Sequence, residues 1–143
     1  MKDQRMKVVV IDDDPGVLHS LQTVLNHKGC DVLTFHNPST CPMHYGQGCP
    51  CLLSAPCPDM ILADYDMPTV NGFQFLERLN HRGCKCRHVA VMTASDISEP
   101  DLVRMSKWGV RLIFKPFDLE QLNNWIDQIK REATQSIPEM SLA

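Results

Sequence analysis

Four polar positions in this sequence carry residue types that together could handle a divalent cation and a phosphoryl group. They are the Asp12-Asp13 pair, Asp64, Thr93 and Lys115. Clustered carboxylates repel one another unless a hard cation lies among them, and Mg²⁺ prefers carboxylate oxygens together with water and phosphate oxygens. We therefore interpret Asp12 and Asp13 as a metal pair, and Asp64 as a nucleophile that could become an aspartyl phosphate beside that metal.

The lysine and the threonine would complete such a site. Lys115 offers a positive charge for phosphoryl oxygens, and the Thr93 hydroxyl offers a hydrogen bond. Phosphoryl transfer depends mainly on positioning and charge neutralisation, so few other groups are required. Any one of these residues alone would be explained better as a helix cap or a solvated charge. The functional interpretation depends on all of them occurring together.

Each of these polar positions follows a short apolar run. The runs are too short for helices and do not alternate with polar residues, which favours strands buried on both faces of a parallel sheet. They are residues 8–11, 60–63, 89–92 and 112–114, with residues 32–35 as a fifth candidate. Because the carboxyl ends of parallel strands meet at one edge of a sheet, we expect the polar positions to converge there.

Helical patterns separate the strands. Apolar residues recur at helical spacing in residues 17–25 and 119–129. Asp14, Ser98 and Asp118 are predicted to cap helices, the first of them with a proline at the first helical position. Alternating strands and helices predict an α/β fold with a doubly wound five-stranded parallel sheet and helices on both faces.

The motifs at the strand ends resemble those of receiver domains of two-component response regulators, in particular the stand-alone, chemotaxis-regulator-like ones. The matching stretches are VVIDDDP at residues 9–15, DYDMPTVNG at 64–72, VMTA at 91–94 and FKPF at 114–117. They follow the order of the family, and the resemblance extends from about residue 6 to residue 131. The Asp-x-x-Met-Pro-x-x-x-Gly pattern within the second stretch is specific by itself.

The resemblance implies a flavodoxin-like fold with strand order 2-1-3-4-5 and a phosphoprotein whose Asp64 accepts phosphate from a histidine kinase or phosphotransfer protein. It implies Mg²⁺ bound by Asp13, Asp64 and the main-chain carbonyl of Asp66, with Asp12 acting through water. It also implies a cis peptide bond between Lys115 and the proline that follows it. Such a domain is not an enzyme beyond self-phosphorylation and autodephosphorylation, and it signals by phosphorylation-dependent binding of a downstream protein, which the sequence does not name.

One departure from the family pattern concerns the second helix. Residues 38–58 contain five prolines and four cysteines, which favours an irregular loop in place of a regular helix. Thiolates are the ligands of structural zinc and of iron–sulfur clusters, so we consider a Zn²⁺ site, or alternatively an Fe–S cluster. The candidate ligands flank the amino ends of the third and fourth strands and are Cys49, Cys51, Cys57, Cys84 and Cys86, with Cys41 and His44 as weaker candidates. Ordinary reduced thiols without metal are the alternative explanation.

A second departure is Leu112, which stands three residues before Lys115 where the family usually has an aromatic residue. Leucine has neither a ring nor a hydroxyl to signal its position. We therefore expect an altered output face, built from Trp108, Leu112 and the last helix.

Two other functions are alternatives to the receiver domain. Asp64 and Asp66 resemble the Asp-x-Asp motif of haloacid-dehalogenase-type phosphatases, but those enzymes place that motif first and their acidic pair last, the reverse of the order here. The other alternative is a sensor or scaffold protein that binds zinc or an iron–sulfur cluster on a receiver fold. A redox-dependent change in phosphorylation would separate this alternative from simple phosphate signalling.

Composition limits the remaining function classes. The chain has 143 residues and a net charge of −3, without a basic stripe, so nothing favours nucleic-acid binding. No apolar stretch reaches membrane length, and no signal peptide is evident, so we expect a cytoplasmic protein that does not bind membranes. We expect an N-terminal tail at residues 1–5, one domain at 6–131 and a C-terminal tail at 132–143, of which residues 134–143 should be frayed. We expect no output domain, so that the signal leaves through a binding surface.

Overall fold

The computed structural model describes residues 5–37, 58–68, 70–81, 86–94 and 96–142, and it describes side chains no further than residue 132. Five parallel strands form one sheet with the order β2-β1-β3-β4-β5. The strands are β1 (Lys7–Ile11), β2 (Asp31–Phe35), β3 (Met60–Asp64), β4 (His88–Thr93) and β5 (Arg111–Phe114). This sheet confirms the predicted fold class, the five predicted strands and the strand order.

Four helices are described, and three of them begin at the predicted caps. The helices are α1 (Pro15–His27), α2 (Gly72–His81), α3 (Glu99–Lys107) and α4 (Leu119–Leu142). The Asp14 carboxylate accepts a hydrogen bond from Gly16 N (2.8 Å), the Ser98 hydroxyl accepts one from Asp101 N (3.4 Å), and the Asp118 carboxylate accepts one from Glu120 N (3.0 Å). Each cap satisfies a backbone N–H that has no partner within its own helix.

Two apolar cores pack against opposite faces of the sheet. The α1/α4 core combines alternate strand residues such as Val10 and Leu62 with side chains of α1 and α4, including Leu21 and Ile126. The α2/α3 core lies on the other face. Its members include Val9, Ile11, Ile61, Ala63 and Val91 from the strands, Phe73, Leu76 and Leu79 from α2, and Met105 from α3. Because strand side chains alternate between faces, neighbouring residues of β1 and β3 enter different cores.

Two predictions about irregular segments have different outcomes. The loop predicted to replace the second helix lies outside the described residues apart from its last position, Pro58, so it stays a prediction. The frayed tail is wrong as a statement about the backbone, because α4 continues through Pro138 to Leu142. The prediction gave too much weight to that proline, whereas Ala133 and Gln135 are good helix formers. The proposed domain boundary at residue 131 is a separate matter and stays a prediction.

Candidate functional site

The carboxyl ends of the strands bring the predicted polar residues together. Asp12 follows β1, Asp64 ends β3, Thr93 ends β4 and Lys115 follows β5. Hydrogen bonds between adjacent strand ends fix the backbone here: Asp12 N donates to Phe35 O (3.1 Å), and Lys115 N donates to Thr93 O (2.8 Å). The sheet therefore fixes the backbone position from which each of these side chains projects.

Three carboxylates form the acidic part of this site. One oxygen each from Asp12, Asp13 and Asp64 lies within 4.8 Å of the others, and within the described part of the chain no other group of three or more potential metal ligands is this close. Asp12 and Asp64 are buried, whereas Asp13 is exposed. Oxygen donors at this spacing, two of them buried and one open to solvent, fit a hard cation such as Mg²⁺.

Lys115 supplies a positive charge to the acidic group. Its Nζ lies 2.8 Å from Asp12 Oδ2 and 3.3 Å from Asp64 Oδ1. Burial disfavours the charged amine, but the hydrogen bond from Lys115 to Asp12 and the charges of Asp12 and Asp64 outweigh burial and raise the lysine pKa. The ammonium group therefore stays protonated at neutral pH and offsets part of the negative charge.

The Asp64 carboxyl is the group whose protonation the site changes most. Its pKa is raised to about 7, first by burial and next by the negative charge of Asp12, while Lys115 acts in the opposite direction. The amide N of Asp66 donates a hydrogen bond to Asp64 Oδ1 at 3.3 Å. A cation among the three carboxylates would favour the ionised form of Asp64, because its positive charge would offset the negative charge of Asp12 that raises the pKa.

The side chain of Asp66 contacts the site in a way that the sequence did not predict. Thr93 is buried, and its Oγ1 donates a hydrogen bond to Asp66 Oδ2 at 3.2 Å. The resemblance implied a role for the main-chain carbonyl of Asp66 only, and that role stays a prediction. The sequence signal for this contact is a carboxylate two residues after the end of β3 together with a hydroxyl at the end of β4. Sequence spacing alone does not give the distance between the two groups.

Gly72 lies against the backbone of the residue that would accept phosphate. A Cβ atom added to Gly72 would be 2.6 Å from the Asp64 carbonyl oxygen, closer than real Cβ atoms approach, and 3.0 Å from Tyr65 Cα. Gly72 N also donates a hydrogen bond to Tyr65 O (3.0 Å). The glycine of the 64–72 motif is therefore explained by the close approach of α2 to the end of β3.

Tyr65 is a second feature that sequence reasoning missed. Its hydroxyl donates a 2.8 Å hydrogen bond to Asp101 Oδ2 in the first turn of α3. Burial raises the pKa of the phenol, and the hydrogen bond to Asp101 acts in the same direction. The sequence carried no signal for this contact, because the two residues are 36 positions apart and neither belongs to a predicted core.

The predicted cysteine site cannot be compared with the structure as a whole. Cys49, Cys51, Cys57 and Cys84 lie outside the described residues, as do Cys41 and His44. Cys86 is half-buried, and its Sγ lies 3.6 Å from the carbonyl oxygen of His88. The Zn²⁺ or Fe–S site therefore stays a prediction that no contact among the described residues supports. Cys30, interpreted as a core residue, is buried as expected.

The predicted output face of Trp108, Leu112 and the last helix stays a prediction, although Leu112 and the apolar side of the last helix pack on opposite sides of the sheet. Leu112 is half-buried and packs against the α2/α3 core, whereas the apolar side of α4 packs in the α1/α4 core. The Trp108 ring stacks on Phe73 of α2 with centroids 5.4 Å apart. The alternation of side chains along β5 places Leu112 on the side away from α4. The peptide bond between Lys115 and Pro116 is cis, as the resemblance implied.

Comparison with known proteins identifies the family. The family model for the response regulator receiver domain matches residues 8–127. The chain belongs to the response regulator receiver domain family. Receiver domains are phosphoacceptor signalling domains of two-component systems that interact with histidine kinases or phosphotransfer proteins. They typically use Mg²⁺ at an acidic pocket such as the one formed here by Asp12, Asp13 and Asp64.

Individual relatives agree with this membership. Protein PilH of Pseudomonas aeruginosa is 27% identical over 124 residues, which cover 86% of this receiver domain chain and 96% of PilH. The DNA-binding transcriptional regulator NtrC of Salmonella typhimurium is 27% identical over 118 residues, but the match spans only 23% of NtrC. The similarity to NtrC therefore concerns one part of that longer protein.

Solved receiver structures share the fold. The receiver domain of the Francisella response regulator 1452 has a TM-score of 0.70 and 22% identity, with 90% of this chain and 99% of that chain covered. The BeF3-activated DrrB receiver domain has a TM-score of 0.67 and 17% identity, with the same shares covered. At these identities the likeness shows the fold alone. Within the described residues, none of the helices combines the length and apolar character needed to cross a membrane.

Proposed function

We propose that this receiver domain accepts a phosphoryl group on Asp64 from a histidine kinase or phosphotransfer protein, and that phosphorylation changes its affinity for a downstream protein. The observation that carries the proposal is the position of Lys115 Nζ, 2.8 Å from Asp12 and 3.3 Å from Asp64. A buried carboxylate that has a lysine beside it and two further carboxylates nearby fits a nucleophile held in a site for phosphoryl oxygens.

The transfer itself needs little from the protein besides positioning. A carboxylate oxygen of Asp64 forms a bond to phosphorus while the bond from phosphorus to the donor histidine nitrogen breaks, and that nitrogen retains the electron pair. Lys115 is placed to neutralise charge on the phosphoryl oxygens. The Thr93 hydroxyl, which donates to Asp66 in this state, can turn its hydrogen bond to a phosphoryl oxygen instead. The domain in this proposal is a signalling protein rather than an enzyme that acts on other substrates.

In this proposal Asp13, Asp64 and the main-chain carbonyl of Asp66 would bind the metal directly, and Asp12 would act through water. Bound Mg²⁺ supplies positive charge to the phosphoryl oxygens and keeps the attacking carboxyl ionised. The spacing of the three carboxylates and the raised pKa of Asp64 support this assignment, because both create a demand for positive charge.

The test is chemical labelling of the purified protein with acetyl phosphate and Mg²⁺. We expect mass spectrometry of the intact protein to show the addition of one phosphoryl group, and borohydride reduction followed by peptide mapping to locate it at Asp64. Asp64→Asn should remove the label, and a chelator should suppress it in the wild-type protein.

Asp59→Asn is the matched control, because it removes an exposed carboxylate just before the start of β3, at the end of the strand away from Asp64. It should leave the label on Asp64 unchanged. Equal labelling of the Asp64→Asn variant, or a label that maps to another residue, would contradict the proposal.

A further inference from the structure

Helix α3 is held to the domain by few buried side chains. Of its nine residues, all of which the structure describes, Met105 is the one that is buried. Leu102 and Val103 are 36% and 50% exposed although they are apolar. A helix with so little buried apolar area depends on its remaining contacts for its position, and it can shift at a lower free-energy cost than a helix with a buried face.

The remaining contacts of α3 and of its C-terminal cap, Trp108, are with the loop after β3 and with α2. The Asp101 carboxylate accepts the hydrogen bond from the Tyr65 hydroxyl, the Arg104 guanidinium lies 3.7 Å from the Glu77 carboxylate, and the Trp108 ring stacks on Phe73. The Arg104–Glu77 pair is exposed, and such pairs contribute little. The bond between Tyr65 and Asp101 is partly buried and has a charged acceptor, which makes it the strongest polar contact of this set.

Tyr65 is also tied to the residue that would be phosphorylated. It follows Asp64 directly, its N donates to Met92 O at 2.7 Å, and its carbonyl accepts a bond from the N–H of Gly72 at 3.0 Å. β4 and α2 therefore hold the backbone of Tyr65 on both sides, and a single peptide bond separates this residue from Asp64. The residue three positions before Lys115 cannot provide a polar link of this kind, because it is leucine.

We propose that the hydrogen bond between Tyr65 and Asp101 transmits the state of Asp64 to α3, so that phosphorylation repositions this helix. The inference rests on the proposed function, since it needs Asp64 to be the phosphoacceptor. Tyr65 acts here as a positioning residue, and its hydroxyl is the group that matters. The bond connects the chemistry at the end of β3 with a helix that carries exposed apolar side chains.

The experiment uses beryllofluoride with Mg²⁺ as a mimic of the phosphoryl group. Fluorine NMR reports whether the mimic binds, and amide hydrogen exchange in residues 99–107 reports the response of α3. In the wild-type protein we expect binding, and a change of exchange rates in α3 of about fivefold or more, which corresponds to the lower end of ordinary allosteric coupling. Tyr65→Phe should bind the mimic equally well but lose most of the change in α3.

Three further variants separate coupling from general damage to the fold. Glu77→Gln removes the exposed ion pair of Arg104 and should leave the response intact. Asp101→Ala removes the same hydrogen bond by removing its acceptor, and this variant should also lose the response. It keeps the test possible if Tyr65→Phe does not fold. Asp101→Asn should retain most of it, because its amide oxygen can still accept the bond.

The outcomes distinguish the two proposals. If wild-type protein does not bind beryllofluoride, the proposed function fails, and the inference fails with it. If the mimic binds but α3 does not respond, or if Tyr65→Phe and Asp101→Ala respond like the wild type, then the coupling is wrong while the phosphoacceptor assignment stands. Loss of the response in both variants with unchanged binding would support the coupling.

Discussion

The two faces of the sheet hold their helices in different ways. On one face, α4 buries Leu122, Trp125, Ile126 and Ile129, and α1 buries Leu21 and Leu25. On the other face, α2 is well buried, but α3 buries Met105 alone and relies on polar and aromatic contacts for the rest. The difference indicates that the α1/α4 core fixes the strand ends, whereas α3 can adjust to what happens there.

The largest expected effect is a difference between the two faces in the free energy of unfolding that is lost when an apolar side chain is truncated. Ile126→Ala on α4 should lower the free energy of unfolding by about 2–5 kcal/mol, because Ile126 is fully buried and its loss leaves a cavity. Val103→Ala on α3 should change the free energy of unfolding by less than about 0.5 kcal/mol, because Val103 is half exposed. Urea unfolding followed by circular dichroism measures both.

Met105→Ala provides the control within α3 itself. Met105 is buried, so its truncation should have a cost closer to that of Ile126→Ala than to that of Val103→Ala. A cost for Val103→Ala similar to that for Ile126→Ala would mean that α3 is packed as firmly as α4, and the contrast between the faces would be lost.

Much of this fold could be predicted because its strands are nearly continuous apolar runs. A strand that is buried on both faces needs apolar residues at every position, and β3, with the sequence MILAD, is buried throughout. The end of α4 could not be predicted in the same way, because a proline in a helical pattern marks a probable boundary and not a certain one. Residues 38–57 offered no periodicity from which to infer an element.

The site was predictable to the extent that it depends on strand ends. Parallel strands place their carboxyl ends at one edge, so Asp12, Asp64 and Lys115 had to be near one another once the strands were identified. Their chemical roles stay predictions. The contact between Tyr65 and Asp101 depends on the path of a loop and on the rotation of α3 about its axis. Neither can be inferred from residue spacing.

The next largest effect is expected where α2 meets the end of β3. Gly72→Ala would place a Cβ 2.6 Å from the Asp64 carbonyl oxygen, so backbone must shift on one side or the other. We expect a loss of about 1–3 kcal/mol in the free energy of unfolding, as for other overpacked positions. Phosphorylation by acetyl phosphate should also slow, because the displaced atoms belong to the residue that would react.

Gly16→Ala is the matched control for Gly72→Ala. Gly16 also lies near the start of a helix, but its added Cβ would meet only the exposed side-chain oxygen of Asp14, at 3.2 Å. We expect that variant to be neutral or slightly stabilising, because alanine is the better helix former. A loss for Gly16→Ala as large as that for Gly72→Ala would show that the close approach to Asp64 is not the cause.

A further effect is expected in the pH dependence of stability, which depends on the protonation of Asp64. The pKa of Asp64 is raised to about 7 in the folded protein, above its ordinary value near 3.8. Between these values the folded state holds a proton that the unfolded chain releases, so the metal-free protein should lose stability as the pH rises from about 4 to about 7. Denaturant titrations at several pH values measure this slope.

Two comparisons test whether Asp64 causes that slope. Asp64→Asn removes the titrating group and should flatten the pH dependence in this range. Mg²⁺ should flatten it in the wild-type protein as well, because a cation favours the ionised carboxyl and lowers its pKa. Equal slopes for wild type and Asp64→Asn would assign the pH dependence to other groups.

The smallest effect concerns two arginines, one for each face of the sheet. Arg111 lies over the Trp125 ring with 4.6 Å between the guanidinium carbon and the ring centroid, and Arg104 lies over the Phe73 ring at 5.8 Å. Tryptophan is the better partner and the distance is shorter, so Arg111→Ala should cost about 0.5–1 kcal/mol and Arg104→Ala less. Thermal or urea unfolding of both variants measures the difference, and Arg111→Lys should retain part of the interaction. If Arg104→Ala were the more costly of the two, α3 would be held by its arginine, and its freedom to follow Tyr65 would be smaller than its burial indicates.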